Sequence, residues 1–337
     1  MEIADALKQL PFCLSKSDLS RWLGPGHTGK VRDSYRLNGK RVMVSTDRIS
    51  VFDFHVGHVP FKGQVLNQLS EFWFENTRDL VANHLIAVPD PNVTVAKECK
   101  TLPVEMVVRG YITGVTTTAM WYQYAAGARI FCGHRLPEGL RKNDRLPEPL
   151  ITPSTKEARK GVHDKSVSAE ELIKDTGLDI ELYKRMEAIS IALFRRGTEV
   201  AARAGYILVD TKYEFGLDEE DKLVLIDEVH TPDSSRYWRA EMYERRMADG
   251  QEMDYYDKEH VRLWLSARGL DKFGQEAERS NIPPELFAET GCRFVAIYEA
   301  ITGRRFEYAT GDATQRIERS VQKYLAGMAV NEAVTAP

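Results

Sequence analysis

Asp210, Lys212 and Glu214 stand at every second position of the run ILVDTKYEFG, alternating with Val209, Thr211, Tyr213 and Phe215. Strand side chains point to opposite faces with period two. An extended chain here therefore sets acid, ammonium and acid in a row on one face. The other face is mainly apolar, with one threonine. A polar stretch, 216–222, makes a turn, and a return strand over 223–229 carries the apolar run LVLI into Asp227 and Glu228. An acid at the end of a buried strand is costly unless it is paired or bound to a cation. A register that sets Glu214 near Asp227 joins two hard oxygen ligands beside a lysine. That suits Mg²⁺ holding a nucleoside triphosphate, because this ion is ordinarily bound by one or two carboxylates plus phosphates. The competing reading is an ordinary hairpin with solvated acids.

Other residues extend the chemistry toward anions. Asp233, Ser234, Ser235 and Arg236 follow the acidic strand in TPDSSR and cluster a cation with short hydroxyl donors, a mix suited to a sugar phosphate. Arg109 ends the apolar run VEMVV, and its planar guanidinium suits a phosphate or carboxylate. The segment GPGHTGKV (24–31) fits GxxxxGK, but Val31 stands where a P-loop needs Ser or Thr. It also fits GxGxxG, but lacks the strand–helix context of a dinucleotide fold. Asn38-Gly39 between two strand-like runs is instead a hairpin signal, since both turn positions need positive φ. A glycine-rich hairpin laid over a triphosphate, with a lysine reaching the phosphates, is the way kinases hold ATP, and Lys30 or Arg32 could serve here. No Ser-His-Asp or Cys-His pattern points to covalent catalysis.

The elements that must position these groups read as follows. A helix covers 64–77, with Val65, Leu66, Leu69, Phe72 and Trp73 as a core stripe. Strands cover 92–96 and 104–111. Ser168 to Glu171 forms a capping box for a helix ending near Gly177, and an amphipathic helix runs over 179–204 until Gly205 stops it. Helices then follow at 258–267, 284–301 and 312–326. The stretch 133–164 is rich in proline, glycine and charge and reads as a long loop, of the kind that is functional or disordered in a compact domain. The 337 residues exceed one average domain, and 43% hydrophobic with 28% charged residues is ordinary for a globular chain. A net charge of −4 offers no general basic surface, so nucleic acid is not an expected partner. Four scattered cysteines argue against a zinc site or a disulfide framework. No apolar run approaches the roughly 18 residues of a membrane span. With no signal-peptide pattern, the cytoplasm is the expected location.

DTKYEFG followed by IDEVHTPDSSRYW resembles the signature of the phosphoribosylaminoimidazole-succinocarboxamide synthase (SAICAR synthetase) family. GKVRDSY, STDRISVFD, VVRGYITG and ITPSTKEARKGVHD are similar to further family segments, and the resemblance covers about 24–240. It implies ATP contacts at Gly29, Lys30, Val31 and Arg32, with Asp33 alongside, and at Lys97, Thr101 and Glu105, where a lobe-linking segment receives the adenine. It implies substrate contacts at Asp47, Arg48, Arg109, Asp233, Ser234, Ser235 and Arg236, with Asp53 nearby, and makes Lys156, His163 and Asp164 of the long loop candidate site residues, against a solvated lid. Metal ligands would be Glu214 and Asp227, and catalytic groups Lys212 and Asp210. The family commonly continues ITGSAW where this chain has ITGVTTTAMW. Thr118 is taken for the substrate hydroxyl, with the choice among Thr116, Thr117 and Thr118 left open.

The expected architecture is α+β and two-lobed, with antiparallel sheets, similar to the kinase-like SAICAR synthetase fold. A lobe over 1–103 would carry the glycine-rich hairpin and a larger lobe over 104–337 the metal and substrate residues, with the ATP site in the cleft between. The implied reaction joins L-aspartate to the carboxylate of 5-amino-1-(5-phosphoribosyl)imidazole-4-carboxylate (CAIR) in purine biosynthesis. It uses ATP and Mg²⁺ and small-molecule partners only. Monomer and homo-oligomer stay open. The rival classes are a kinase-like phosphotransferase on a small metabolite and a non-catalytic nucleotide-binding protein.

Overall fold

Asn38 and Gly39 adopt φ of 43° and 71°, the left-handed pair that a two-residue hairpin turn requires. They join β2 (Arg32–Leu37) to β3 (Lys40–Ser45), and β1 (His27–Thr28) pairs back on β2 across the glycine-rich turn. The computed structural model describes residues 1–52, 54–116, 118–155, 166–271, 275 and 281–335, with backbone alone from 329. Helices and antiparallel sheets make the fold α+β. Of the sequence candidates, Asp53, Thr117, Lys156, His163 and Asp164 lie outside the described residues.

The chain forms two compact units, one of Met1–Phe72, His84–Cys99 and Trp264–Pro337, the other of Trp73–Asn83 and Lys100–Leu263. In the first unit β4 (Arg48–Val51) and β5 (Phe54–His58) make a separate ribbon, and β6 (Leu85–Asp90) and β7 (Val93–Lys97) complete a sheet of order β1-β2-β3-β7-β6. Its inner residues Tyr35, Val42, Val44, Val93 and Val95 pack against Ile317 and Val321 of helix Thr314–Thr335. Arg316 of that helix donates to Asp90 Oδ1 at 2.6 Å and Asn92 Oδ1 at 2.8 Å. The segment after residue 263 therefore builds the same unit as the hairpin, whereas a single cut at 103 sets it with the larger lobe. Local periodicity marks the helices and says nothing of which sheet they cover.

In the second unit β8 (Lys100–Tyr111) carries β11 (Arg145–Ile151) and β12 (Ser154–Thr155) on one edge, and β13 (Tyr206–Leu217) on the other. A small hairpin of β9 (Ile130–Phe131) and β10 (His134–Arg135) stands apart. The far edge of β13 is shared by two strands. β14 (Leu223–Ile226) pairs with its residues 214–217 and β15 (Ser235–Arg239) with 206–211. Between them, beside Lys212, that edge meets a loop, and Lys212 N donates to Ser234 O at 3.2 Å.

The opposite face of β13 is sealed by helix Ile180–Arg203, which starts on an Asp179 cap that accepts from Leu182 N at 2.8 Å. Tyr213 OH lies 2.5 Å from His230 Nε2, the Trp73 ring meets the same imidazole edge-on at 4.5 Å, and Tyr237 OH donates to His230 O at 2.6 Å. A Cβ on Gly197 would intrude on the His230 ring and on Leu208 Cδ2. Overpacking of this kind costs about 1–3 kcal/mol, more than the ~1 kcal/mol that alanine gains over glycine in a helix. Gly197→Ala should therefore lower the thermal midpoint, and an unchanged or raised midpoint in calorimetry would refute this packing.

Burial pushes the His230 imidazole down from 6.5 to about 3. The unfolded chain then binds a proton that the folded chain refuses as pH falls from 6.5 toward 3, so folding loses up to ~1.4 kcal/mol per pH unit across that window. His230→Gln should flatten the fall in urea midpoint between pH 6.5 and 4 relative to wild type. Parallel slopes would refute the assignment.

Candidate functional site

Register places the charged residues of three strands side by side. Arg109 of β8 and Arg236 of β15 both stand opposite Asp210 of β13. Asp210 Oδ2 accepts Arg236 Nη1 at 2.5 Å and Arg109 Nη1 at 3.4 Å. Arg109 Nε donates to Thr152 Oγ1 at 2.9 Å, and its guanidinium stands 6.0 Å over the Phe131 ring. Four residues along the same face, Glu214 stands opposite Glu105. Like charges directly opposed destabilise a sheet. Lys212, between the two ends, relieves that pair: its Nζ reaches Glu214 at 2.5 Å, Asp227 at 3.2 Å and Glu105 at 3.3 Å. Glu214 and Asp227 thus meet around one ammonium, although the residue facing Glu214 in register is Ile226. β14 ends before Asp227, which turns with φ of 70°. Strain of this kind persists only where the surroundings hold it. Burial alone would lower the Lys212 ammonium; Glu214, Asp227 and Glu105 outweigh it and hold it well above its ordinary value.

The face is therefore polarised. Two guanidiniums against one carboxylate make one end cationic. Three carboxylates against one ammonium leave the other end two formal charges negative. A cavity of about 230 Å³ opens over the cationic end, lined by Arg109, Asp210, Lys212, Ser234, Arg236 and Arg262 among others. The remaining N–H groups of Arg109 and Arg236 have no partner among the described residues. Among the described residues no three His, Cys, Asp or Glu side chains are close enough to hold a metal by themselves, because the acids are spaced around the ammonium. The donors are hard carboxylate oxygens with charge in excess, which fits Mg²⁺ and not a thiolate- or imidazole-seeking ion.

The other expected site residues divide into three groups. Ser235 Oγ donates to Thr211 Oγ1 at 2.8 Å, Ser234 Oγ lies 3.2 Å from Thr231 Oγ1, and Asp233 pairs with Lys258 at 3.2 Å. Glu105, expected at ATP, belongs to the acid cluster. Thr118 is exposed, with its hydroxyl 3.3 Å from that of Thr116.

In the first unit Lys30 and Lys97 are exposed, as is Thr101 at the start of β8 in the second. Gly29 N donates to Arg32 O at 2.8 Å, and Val31 O accepts Thr46 N at 3.0 Å, which closes the glycine-rich turn.

Asp47 and Arg48, expected at the substrate, are buried and engaged within their own unit. Asp47 accepts Leu14 N at 2.7 Å and Gly63 N at 2.9 Å, and burial pushes its carboxyl up to about 6. Arg48 donates to the carbonyls of Ser15 at 2.5 Å, Gly29 at 3.0 Å and Lys30 at 3.3 Å, and pairs with Asp33 at 2.8 Å. The resemblance sets this Asp-Arg pair near the substrates. In the structure the turn's carbonyls, with no sheet partner, take the guanidinium.

Sequence reasoning missed Asp257, which it left unassigned, and Lys258, Glu259 and Arg262, read only as the start of a helix. Glu259 pairs with both Arg236 and Arg262. Its signal was the alternating charge of DKEHVR, with Lys258 to Arg262 at the i, i+4 spacing that shares one helix face.

A family model described as SAICAR synthetase matches residues 26–278. Relatives named phosphoribosylaminoimidazole-succinocarboxamide synthase include one from Legionella pneumophila (strain Lens), 46% identical over 318 residues, covering 94% of this chain and 100% of the relative. One from Bacteroides thetaiotaomicron is 43% identical over 302 residues, covering 88% and 94%. The solved SAICAR-synthase of Saccharomyces cerevisiae, complexed with SAICAR, superposes with a TM-score of 0.72 at 31% identity, over 88% of this chain and all of that one.

Removing one partner of a fully buried ion pair typically costs about 3–5 kcal/mol, and this cluster is only partly buried, with the Lys212 side chain 25% exposed. Lys212→Met should cost less stability than that figure, and its thermal midpoint should climb with added Mg²⁺ more than that of wild type. A variant as stable as wild type and indifferent to Mg²⁺ would contradict the cluster.

Proposed function

Because the chain belongs to the SAICAR synthetase family, we propose that it joins L-aspartate to the carboxylate of CAIR, converting ATP to ADP and phosphate and releasing SAICAR. The observation that supports this reading best is the polarised face of β13, with paired guanidiniums at one end and an acid cluster around Lys212 at the other. A ligase of this type handles a ribonucleotide phosphate, a carboxylate and a metal-bound triphosphate together. Phosphoryl transfer needs placed cations more than a strong nucleophile.

In this reading Arg109 and Arg236 bind the ribonucleotide phosphate through their open N–H groups, with Ser234 and Ser235 beside them. Asp210 holds both guanidiniums in one plane of approach. Lys212 offsets charge on the substrate carboxylate as it accepts the γ-phosphoryl group of ATP. The aspartate amine then attacks the activated carbon, forming the C–N bond as the C–O bond to phosphate breaks. Glu214 and Asp227, with Glu105 nearby, hold Mg²⁺. When bound, the ion supplies neutralising charge to the phosphoryl oxygens. Gly29, Lys30, Val31 and Arg32 contact the ATP phosphates. Lys97 and Thr101 are further ATP contacts, and Thr118 a substrate contact. Among the described residues no helix is long and apolar enough to cross a membrane. The location we propose for the activity is the cytoplasm.

An ADP-release assay tests the reading. ADP should form only when CAIR, L-aspartate and Mg²⁺ are all present. ADP without aspartate would point to a phosphotransferase. Glu214→Gln and Asp227→Asn keep the shape of each side chain, and Asn tolerates the left-handed backbone at 227. Each should cut turnover by roughly 100-fold or more with the circular dichroism spectrum unchanged. Wild-type rates from either variant would remove the metal assignment.

A further inference from the structure

Arg236 is held from two sides. Its Nη1 donates to Asp210 across the sheet at 2.5 Å, and its Nε donates to Glu259 Oε2 at 3.2 Å. The same Glu259 oxygen accepts Arg262 Nη1 at 2.9 Å. One carboxylate thus ties a guanidinium of β15 to one from helix Glu259–Ser266. Both arginines line the 230 Å³ cavity. Asp257 fixes the start of that helix to the strand: its Oδ1 accepts Glu259 N at 2.7 Å and its Oδ2 accepts Tyr237 N at 2.8 Å.

Two polar atoms at this junction lack partners among the described residues. Glu259 is fully buried with Oε1 unpaired, and Arg262 Nε is likewise buried and unpaired. Arg262 Nε is closed to solvent, whereas the Nη2 groups of Arg236 and Arg262 make no bond among the described residues and are the donors left for an acceptor that arrives with the ligand. Burial alone would raise the Glu259 carboxyl; Arg236 and Arg262 outweigh it and hold it down at about 2. The two guanidiniums therefore favour its charged form. An apolar side chain would pack this site without that desolvation cost, so the charge is explained by what it holds.

We propose that Glu259 is a positioning residue for the anion end of the cavity, fixing Arg236 and Arg262 so that both present their remaining N–H groups to one phosphate-like group of the ligand. This rests on the reading of the cavity as the ribonucleotide site. Glu259 itself touches no substrate and acts through the two arginines.

The test is calorimetric titration of the full-length protein with inorganic phosphate, together with steady-state kinetics. Glu259→Gln keeps the shape and removes the charge. Phosphate affinity should fall on the order of 10-fold, as for other outer-shell partners. KM for CAIR should rise by a similar factor, with KM for ATP and kcat within about 2-fold, a split that a general loss of stability would not produce. Glu259→Asp, which keeps the charge on a shorter arm, should recover part of the phosphate affinity. If Glu259→Gln does not fold, Arg262→Met carries the test and should lose phosphate affinity to a similar degree. A folded Glu259→Gln or Arg262→Met with wild-type phosphate affinity overturns the proposal, as does a wild-type protein that takes up no phosphate. Phosphate binding that depends on Glu259 in a protein without ligase turnover would refute the proposed reaction and leave the positioning role standing.

Discussion

The ammonium of Lys212 is the contact on which the charge pattern of the second unit's sheet depends. Glu105 and Glu214 face each other across neighbouring strands, and Asp227 arrives from the end of a third. Without a cation at their centre the strands would carry repelling, partly desolvated carboxylates. With it, register and charge agree. The same register then forces Arg109 and Arg236 to flank Asp210 four residues back along the face. Polarity of the face is thus a product of strand pairing, which sets the acids of three strands around one ammonium and two guanidiniums around one acid.

The loop between β14 and β15 is the second half of this arrangement. β13 gives up strand pairing at Lys212 on its far edge, and the main chain of the loop takes the place of a strand. Asp227 and the serines reach the centre of the sheet because the chain leaves and rejoins one edge over a few residues. His230 anchors the loop from beneath through Tyr213, Trp73 and Tyr237. Its buried, neutral imidazole fills the space that Gly197 leaves open.

Much of this was legible in local pattern. Alternation placed Asp210, Lys212 and Glu214 on one face, Asn38-Gly39 made the turn its positive φ angles demand, and Ser168 and Glu171 form the reciprocal cap. These signals depend on neighbours within four residues, which is the reach of periodicity and capping. What stayed hidden is non-local. No local pattern says that β15 shares an edge of β13 with β14, or that Glu259 closes on Arg236 some twenty residues upstream. Arg48 shows a second constraint that local pattern does not carry. Its type and position suit a ligand, but the carbonyls of a tight glycine-rich turn engage it first. A charge can be assigned to a site only after the backbone groups around it have found their partners.

The first unit's core includes Ile317 and Val321, and Arg316 reaches back to Asp90 and Asn92. Ribosomal synthesis runs from the N-terminus, and domains generally fold as they emerge. The hairpin is made first, yet its sheet lacks one wall until the helix Thr314–Thr335 has left the exit tunnel. The second unit's strands are all translated by residue 239. Completion therefore inverts the order of translation, and Val42, Val44, Val93 and Val95 gain the last wall of their core only from a segment more than two hundred residues downstream.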